Sequence, residues 1–317
     1  MKKFFIKKVL LSIVTLVIII FILFLLMEMM PGSPFNNPKL SQEQREMLER
    51  AYGLDKPFIQ RYFIYMKNIL KGDFGVSYNL SINTPVSKMI ALRLPVSMAI
   101  GAGAMIIGSI FGFVLGFFAA FSKHYGEGSL RGRLADGICM LISIVGISIP
   151  SYIFAIVLSY FAGFRLKIFP LLYDFRNPVI SSLMAVLSLS VMVTAVVTRY
   201  TREEALEVLR SDYVMFAVSQ GISGKDLLFN YVIRNSLMGV ITVMTMLFVS
   251  LLTGSLVTEK IFSIPGIGFL MTSAITANDY NVVLALSFVF AVIFIVARLI
   301  LDILYMLIDP RVRVSGD

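Results

Sequence analysis

The sequence predicts an all-α integral membrane protein with six transmembrane helices, and three observations carry the prediction. Hydrophobic residues fill 58% of its 317 positions and charged residues 15%, whereas an ordinary soluble domain is roughly half apolar and about a quarter charged. The mean hydropathy is +0.86. The apolar residues gather into six runs, near residues 9–27, 95–121, 137–161, 178–198, 237–257 and 282–307, each close to the roughly 20 helical residues that cross a bilayer core.

Lys2, Lys3, Lys7 and Lys8 precede the first run. Its apolar length exceeds the roughly 7 to 15 residues of a signal-peptide core, and no small-x-small pattern follows before Met30-Pro31-Gly32, so residues 1–29 are expected to stay as an uncleaved first span. Residues 30–94 form a small extracytoplasmic segment punctuated by Pro31, Pro34, Pro38, Gly53, Pro57, Gly72, Gly75 and Pro85. Within it Ser41 opens a helical stretch that has Glu43 and Gln44 early and Gly53 as its stop. A second stretch, FIQRYFIYMKNILKG, sets Phe58, Tyr62, Tyr65 and Ile69 on one helical face. Residues 95–309 then make a transmembrane domain holding the other five spans, and residues 310–317 a tail.

Basic residues set the orientation. With a cytoplasmic N-terminus, fourteen Lys and Arg fall in cytoplasmic segments and four, Arg165, Lys167, Arg176 and Lys260, in short outer loops; the long first segment is exempt from the count. Both termini are therefore expected in the cytoplasm. The same placement accounts for the net charge of +9 without a nucleic-acid partner. Arg298 and Asp302, at i and i+4 in the last span, are expected to pair, and Glu28 to sit at the membrane boundary.

Residues 202–236 stand out as a polar island between two spans. Glu203, Glu204, Ala205, Leu206 and Glu207 favour a helix running to Gln220, with Gly221 as a left-handed stop. Ser223 is the expected N-cap of a second helix over residues 225–235, with Asp226 returning its bond. Tyr213, Phe216, Leu227, Leu228, Phe229 and Tyr231 give this connection apolar bulk, suited to docking in a partner's groove or to packing on its own domain.

Cys139 and His124 are the only residues of their kinds, which excludes a CxxC pair, an internal disulfide, and cysteine- or histidine-rich metal sites. The spacing of Gly221, Gly224 and Lys225 does not make a phosphate-binding G-x-x-x-x-G-K-[ST] loop, nor does the Gly126 to Gly132 stretch.

Several ordered motifs resemble one family. PGSP begins at Pro31, YGLDKPFIQRY at Tyr52, GDFGVSY at Gly72, TPVSKMIALRLPVS at Thr84, RSDYVMFAVSQGIS at Arg210, TGSLVTEKIFSIPGIG at Thr253, NDYNVVLA at Asn278 and LYMLIDPRVR at Leu304. Together they resemble the B-type permease subunit of the dipeptide, oligopeptide and nickel ABC importers over nearly the whole chain. The general coupling-loop pattern of ABC importers fits in part: Ala217 and Gly221 hold their places, Met215 and Phe216 replace its Glu-Ala pair, and Tyr231, Ile233 and Arg234 stand at its closing positions.

The resemblance implies the type I ABC importer permease fold, a homologous C-type permease partner, two cytoplasmic ATPases that bind ATP and Mg, an external substrate-binding protein, and a peptide substrate, with oligopeptides first. No catalytic residue and no metal or cofactor is expected in this chain. It also implies that Asp212, Tyr213, Phe216, Ala217, Gly221, Gly224, Lys225, Leu228 and Phe229 couple to the ATPases. An irregular outer loop over residues 263–268 is expected before the last span, so Pro265, Gly266 and Gly268, with Glu259 and Asp279 nearby, are candidates for an outer gate or binding-protein contact. Ser143, Ser148 and Ser151, with Ser250, Thr253 and Ser255, are candidates for the substrate path. Dipeptides and nickel chelates remain open as substrates of the same architecture. An ion-coupled secondary transporter is disfavoured because no Asp or Glu is placed centrally in a span, and an intramembrane hydrolase because His124 has no GxSxG partner.

Overall fold

The structure is a computed structural model that describes residues 2–29, 41–51, 53–126 and 128–308. Every regular element among them is helical, apart from the single extended pair Val76 and Pro85. The helices are α1 (Lys2–Met29), α2 (Gln42–Ala51), α3 (Phe58–Ile69), α4 (Val86–Tyr125), α5 (Leu130–Ser148), α6 (Ser151–Leu158), α7 (Pro178–Leu209), α8 (Asp212–Ser219), α9 (Gly224–Asp226), α10 (Arg234–Ile261), α11 (Ile267–Thr276) and α12 (Tyr280–Ile308). Wide π-helical turns extend α6 over Ser159–Arg165 and join α9 to α10 over Leu227–Ile233.

Lys8–Met29, Val86–Tyr125, Pro178–Leu209 and Tyr280–Ile300 are long and apolar enough to cross a membrane. Two bent pairs qualify when each is counted as one span: Leu130–Ser148 with Ser151–Arg165, bent by 97°, and Gly224–Leu237 with Gly239–Leu251, bent by 45°. The bend between α5 and α6 corrects the unbroken run expected over 137–161. Pro150 has no N–H to continue the ladder and forces Ile149 into extended backbone (φ −93°, ψ 122°). Three further expectations are revised. The second span begins at Val86 and runs through Pro95. The fourth continues to Leu209. A separate helix, α11, stands between the outer loop and α12.

The chain packs as two compact units, one of the described residues up to Ser97 with Pro265–Ile300, the other of Met98–Ile264 with Leu301–Ile308. In the first, Val86, Met89 and Ile90 of α4 pack with Ile267, Leu270 and Ala274 of α11 and Val282, Val283 and Leu286 of α12. Ser97 Oγ accepts the Ile267 N–H at 2.9 Å, which satisfies a free donor at the start of α11. The expected face of α3 packs on α1: Phe58 and Tyr62 meet the rings of Phe21 and Phe24, and Tyr65 meets Phe24. The Ser41 start is a reciprocal capping pair, with Gln44 N–H on Ser41 Oγ at 3.2 Å and Ser41 N–H on Gln44 Oε1 at 3.0 Å.

In the second unit α7 is the central helix. Gly108, Gly112 and Gly116 of α4 let Val193, Val197 and Thr201 of α7 come so close that a Cβ on Gly112 would lie 2.6 Å from the Val197 Cβ. Gly146 of α5 makes the same approach to Ala195, and Ser143 donates to the Ala195 carbonyl at 2.6 Å. Arg202 of α7 grips Asp136 of α5 through two bonds, Nε to Oδ1 at 2.5 Å and Nη2 to Oδ2 at 2.8 Å, the forked geometry that guanidinium and carboxylate favour.

Candidate partner interface

The connection between α7 and α10 is built to hold one face and present another. After Leu209 the chain breaks for two residues, Arg210 and Ser211, before α8 begins. This corrects the single helix expected over residues 202–220. The Ser211 hydroxyl donates to the Val208 carbonyl at 2.6 Å, so the residue joins the two helices and its side chain does not cap α8. Gly221 does end α8 in the left-handed region (φ +86°). The Gly221 N–H donates to the Val218 carbonyl at 2.9 Å and the Ile222 N–H to the Ala217 carbonyl at 3.1 Å, the paired bonds of a Schellman stop. Ser223 makes no side-chain cap bond. The expected second helix is also not separate: Gly224–Asp226, the π-helical turns and α10 form one continuous helical path.

Val214 and Ala217 of α8, with Leu227 and Val232, are buried against Ala120 of α4 and Leu206 and Leu209 of α7. Tyr213, Met215, Phe216, Val218 and Phe229 are left exposed, Phe216 at 66%. Asp212, Gly221, Gly224 and Lys225 are exposed too, and Leu228 is half-buried. Beside them lies a cavity of about 880 Å³ whose lining includes Phe121, His124, Tyr125, Met215, Val218 and Leu228. The α4 residues of this wall were missed by sequence reasoning. Their signal was the i, i+4 aromatic series Phe113, Phe117, Phe121 and Tyr125, which stacks ring on ring at 6.2 to 6.5 Å.

The outer candidates are split between the two units. In the second, Glu259 is fully buried and accepts the Ser255 hydroxyl at 3.0 Å. In the first, Pro265 and Gly266 lead into α11, Gly266 as its N-cap, and Gly268 lies inside the helix, so the irregular stretch is shorter than the expected 263–268. Asp279 is also fully buried. Its Oδ2 accepts the Ser77 hydroxyl at 2.5 Å and the N–H groups of Asn79 and Leu80 at 3.0 and 3.1 Å. The GDFGVSY stretch thus becomes a closed loop pinned to the α11–α12 turn. Asn281 adds a bond from Nδ2 to the Val76 carbonyl at 3.0 Å, and Asp73 Oδ1 accepts the Gly75 N–H at 2.9 Å. Burial, with Tyr78 nearby, raises the Tyr65 phenol above its ordinary pKa.

Asp279→Ala would leave three donors without their shared acceptor. It is expected to destabilise the first unit by about 3 kcal/mol, given that a bond to a charged group is worth roughly 1.5 to 3. Thermal unfolding of the purified chain and protease cleavage at residues 77–83 read this directly.

The path candidates differ in burial and bonding. Ser143 is spent on the α7 backbone and Ser255 on Glu259. Ser148 and Ser250 are exposed and Ser151 is half-buried. The Thr253 side chain lies outside the described residues, as do Asp302 and hence the expected Arg298 pair. Glu28 pairs with Arg61 of α3.

Residues 112–314 match the family model described as the binding-protein-dependent transport system inner membrane component, and residues 1–101 match the model for its N-terminal region. The dipeptide transport system permease protein DppB of Lactococcus lactis subsp. cremoris is 41% identical over 313 residues, covering 99% of this chain and 100% of its own. The oligopeptide transport system permease protein OppB of Haemophilus influenzae is 32% identical over 314 residues, covering 99% and 100%. A solved chain of the MetNI methionine ABC transporter, in inward-facing conformations, shares the fold with a TM-score of 0.53 over 68% of this chain and 96% of its own, at 14% identity.

Proposed function

Since this chain belongs to the binding-protein-dependent transport system inner membrane component family, a family of multi-pass membrane permeases, we propose that it forms half of the path by which an ATP-driven importer moves short peptides inward. In this reading each bent pair is one span, which gives six. The excess of Lys and Arg in cytoplasmic segments puts both termini inside the cell. The other half is a homologous C-type permease. Two cytoplasmic ATPases bind ATP and Mg, and an external binding protein delivers the substrate.

The observation that carries this reading is the two-sided α8 connection. Ala217 and Val214 fix it to α4 and α7, while Tyr213, Phe216 and Phe229 are free to enter an ATPase groove. Closure of the ATPases would then push on a short helix rather than a slack loop. Because Gly224 to Ile261 is helical without a gap, movement at Lys225, Leu228 and Phe229 is carried into α10, and movement of α8 is carried into α7. Gly221 (φ +86°) and Gly224 (φ +60°) provide the turn between them. Coupling of this kind works only by favouring one of two arrangements of the spans.

At the outer side Asp279 acts by shaping the loop over residues 77–80, and Pro265, Gly266 and Gly268 by setting the entry to α11. Ser148, Ser151 and Ser250 are the path candidates with hydroxyls left nearest a surface. The oligopeptide reading rests on the motif resemblance. A dipeptide reading stands beside it, favoured by the higher identity to the Lactococcus relative.

The test is uptake of labelled di- and oligopeptides by vesicles holding this chain with its permease partner, ATPases and binding protein. Uptake should require ATP and cease when the ATPases are omitted. Uptake that persists on an ion gradient without them would overturn the reading.

A further inference from the structure

The amphipathic helix α3 has three faces rather than two. At roughly 100° per residue, Phe58, Tyr62, Tyr65 and Ile69 form the sector that packs on α1. Gln60, Lys67 and Asn68 form a mainly polar sector, interrupted by Ile64. Between them Ile59, Phe63, Met66 and Leu70 fall within an arc of about 60°, and Ile59, Phe63 and Leu70 are 55%, 65% and 85% exposed. Aqueous exposure of three large apolar side chains in line is unfavourable, so the depth of α3 decides what covers them.

That depth is set by α1. Between Lys8 and Glu28 it carries no charge, and at 1.5 Å per residue this stretch is about 30 Å long, the thickness of the hydrocarbon core. Glu28 therefore marks the boundary, and Phe21 lies about 10 Å inside it. The α3 helix crosses α1 over that interval: Arg61 pairs with Glu28 and Tyr62 and Phe58 pack on Phe21 and Phe24, while the long Tyr62 side chain alone reaches deeper, its hydroxyl donating to the Val17 carbonyl at 3.2 Å. A helix held there has its polar sector at the headgroups and its third sector among acyl chains, the position of an interfacial helix sunk by about 5 to 10 Å.

We infer that α3 lies in the membrane–water boundary at the Glu28 end of α1, with Ile59, Phe63 and Leu70 against lipid acyl chains. It is thus a lipid-contact element and not part of a freely hydrated domain. It fixes the loop that follows it, over residues 72–86, at the membrane surface.

The chain contains no tryptophan, so Phe63→Trp in the full-length protein provides a single fluorophore. In phosphatidylcholine vesicles it is expected to emit to the blue, to lose most of its emission when the acyl chains are brominated, and to resist acrylamide. Leu70→Trp should behave alike, which preserves the test if Phe63→Trp does not fold, and Lys67→Trp should be quenched by acrylamide. Acrylamide quenching of Phe63→Trp and Leu70→Trp without bromine quenching would overturn the inference in favour of water. Protection from both quenchers would overturn it in favour of covering protein. Bromine quenching of Lys67→Trp equal to that of Phe63→Trp would overturn the boundary position.

Discussion

Gly112→Leu is expected to leave little correctly folded protein, whereas Val114→Leu, two residues along α4, unfolds near the wild-type temperature. Position 112 is buried against α7, and even a methyl group would sit 2.6 Å from the Val197 Cβ, 2.7 Å from its Cγ1 and 3.1 Å from the Thr194 carbonyl. The obstacle includes backbone, so a rotamer change cannot remove it and the two helices must separate. Separation would also break the approaches at Gly108 and Gly116, so the cost should exceed the roughly 1 to 3 kcal/mol of ordinary overpacking. Val114 is 63% exposed, where substitutions stay within about 0.5 kcal/mol. Thermal unfolding and size-exclusion profiles of the two variants separate these outcomes.

Ala217→Glu is expected to release the α8 connection from the unit it sits on. Ala217 is 3% exposed among Ala120, Leu206, Leu209, Val214 and Leu227. A carboxylate placed there has no partner, and an unpaired buried charge costs several kcal/mol. The local answer is for α8 to lift away, exposing Arg210 and Lys225 further. Trypsin should then cut at these two residues faster than in the wild type, and ATP-driven uptake should cease. Unchanged cleavage would show that the buried side of α8 is not what holds the connection.

Much of this was legible in the sequence because membranes impose simple rules. The apolar runs located the long helices, and the Phe58, Tyr62, Tyr65 and Ile69 spacing gave the face of α3 that packs on α1. Gly53 and Gly221 marked helix ends, and both have positive φ. The misses have physical causes. The apolar run begins only near residue 95, yet α4 starts at Val86 and runs through Pro95, a residue without the N–H of an interior position that helices in apolar surroundings can tolerate. Arg202 and the glutamates after it read as a helix separate from the span over 178–198 because polarity marked the end of the apolar run, although Arg202 is bound to Asp136 and continues α7. Gly108, Gly112 and Gly116 repeat every four residues, a small-xxx-small signal visible in the sequence, but only the partner helix reveals what they admit. The sequence marks Asp279 as a candidate beside the outer loop but not as the buried acceptor of residues 77–80, since the groups it binds lie some 200 positions away.

If the exposed face of α8 conveys ATPase movement while the buried face only anchors it, Phe216→Asp isolates the first role. At 66% exposure the change should leave unfolding temperature and trypsin resistance near wild type. Loss of a groove-filling aromatic worth about 2 kcal/mol or more should lower ATP-driven peptide uptake at least about tenfold. The direct measurement is therefore uptake by reconstituted Phe216→Asp complexes under saturating ATP. A stable variant with uptake lowered to that extent is the result predicted here, and wild-type uptake from the same stable variant would contradict it.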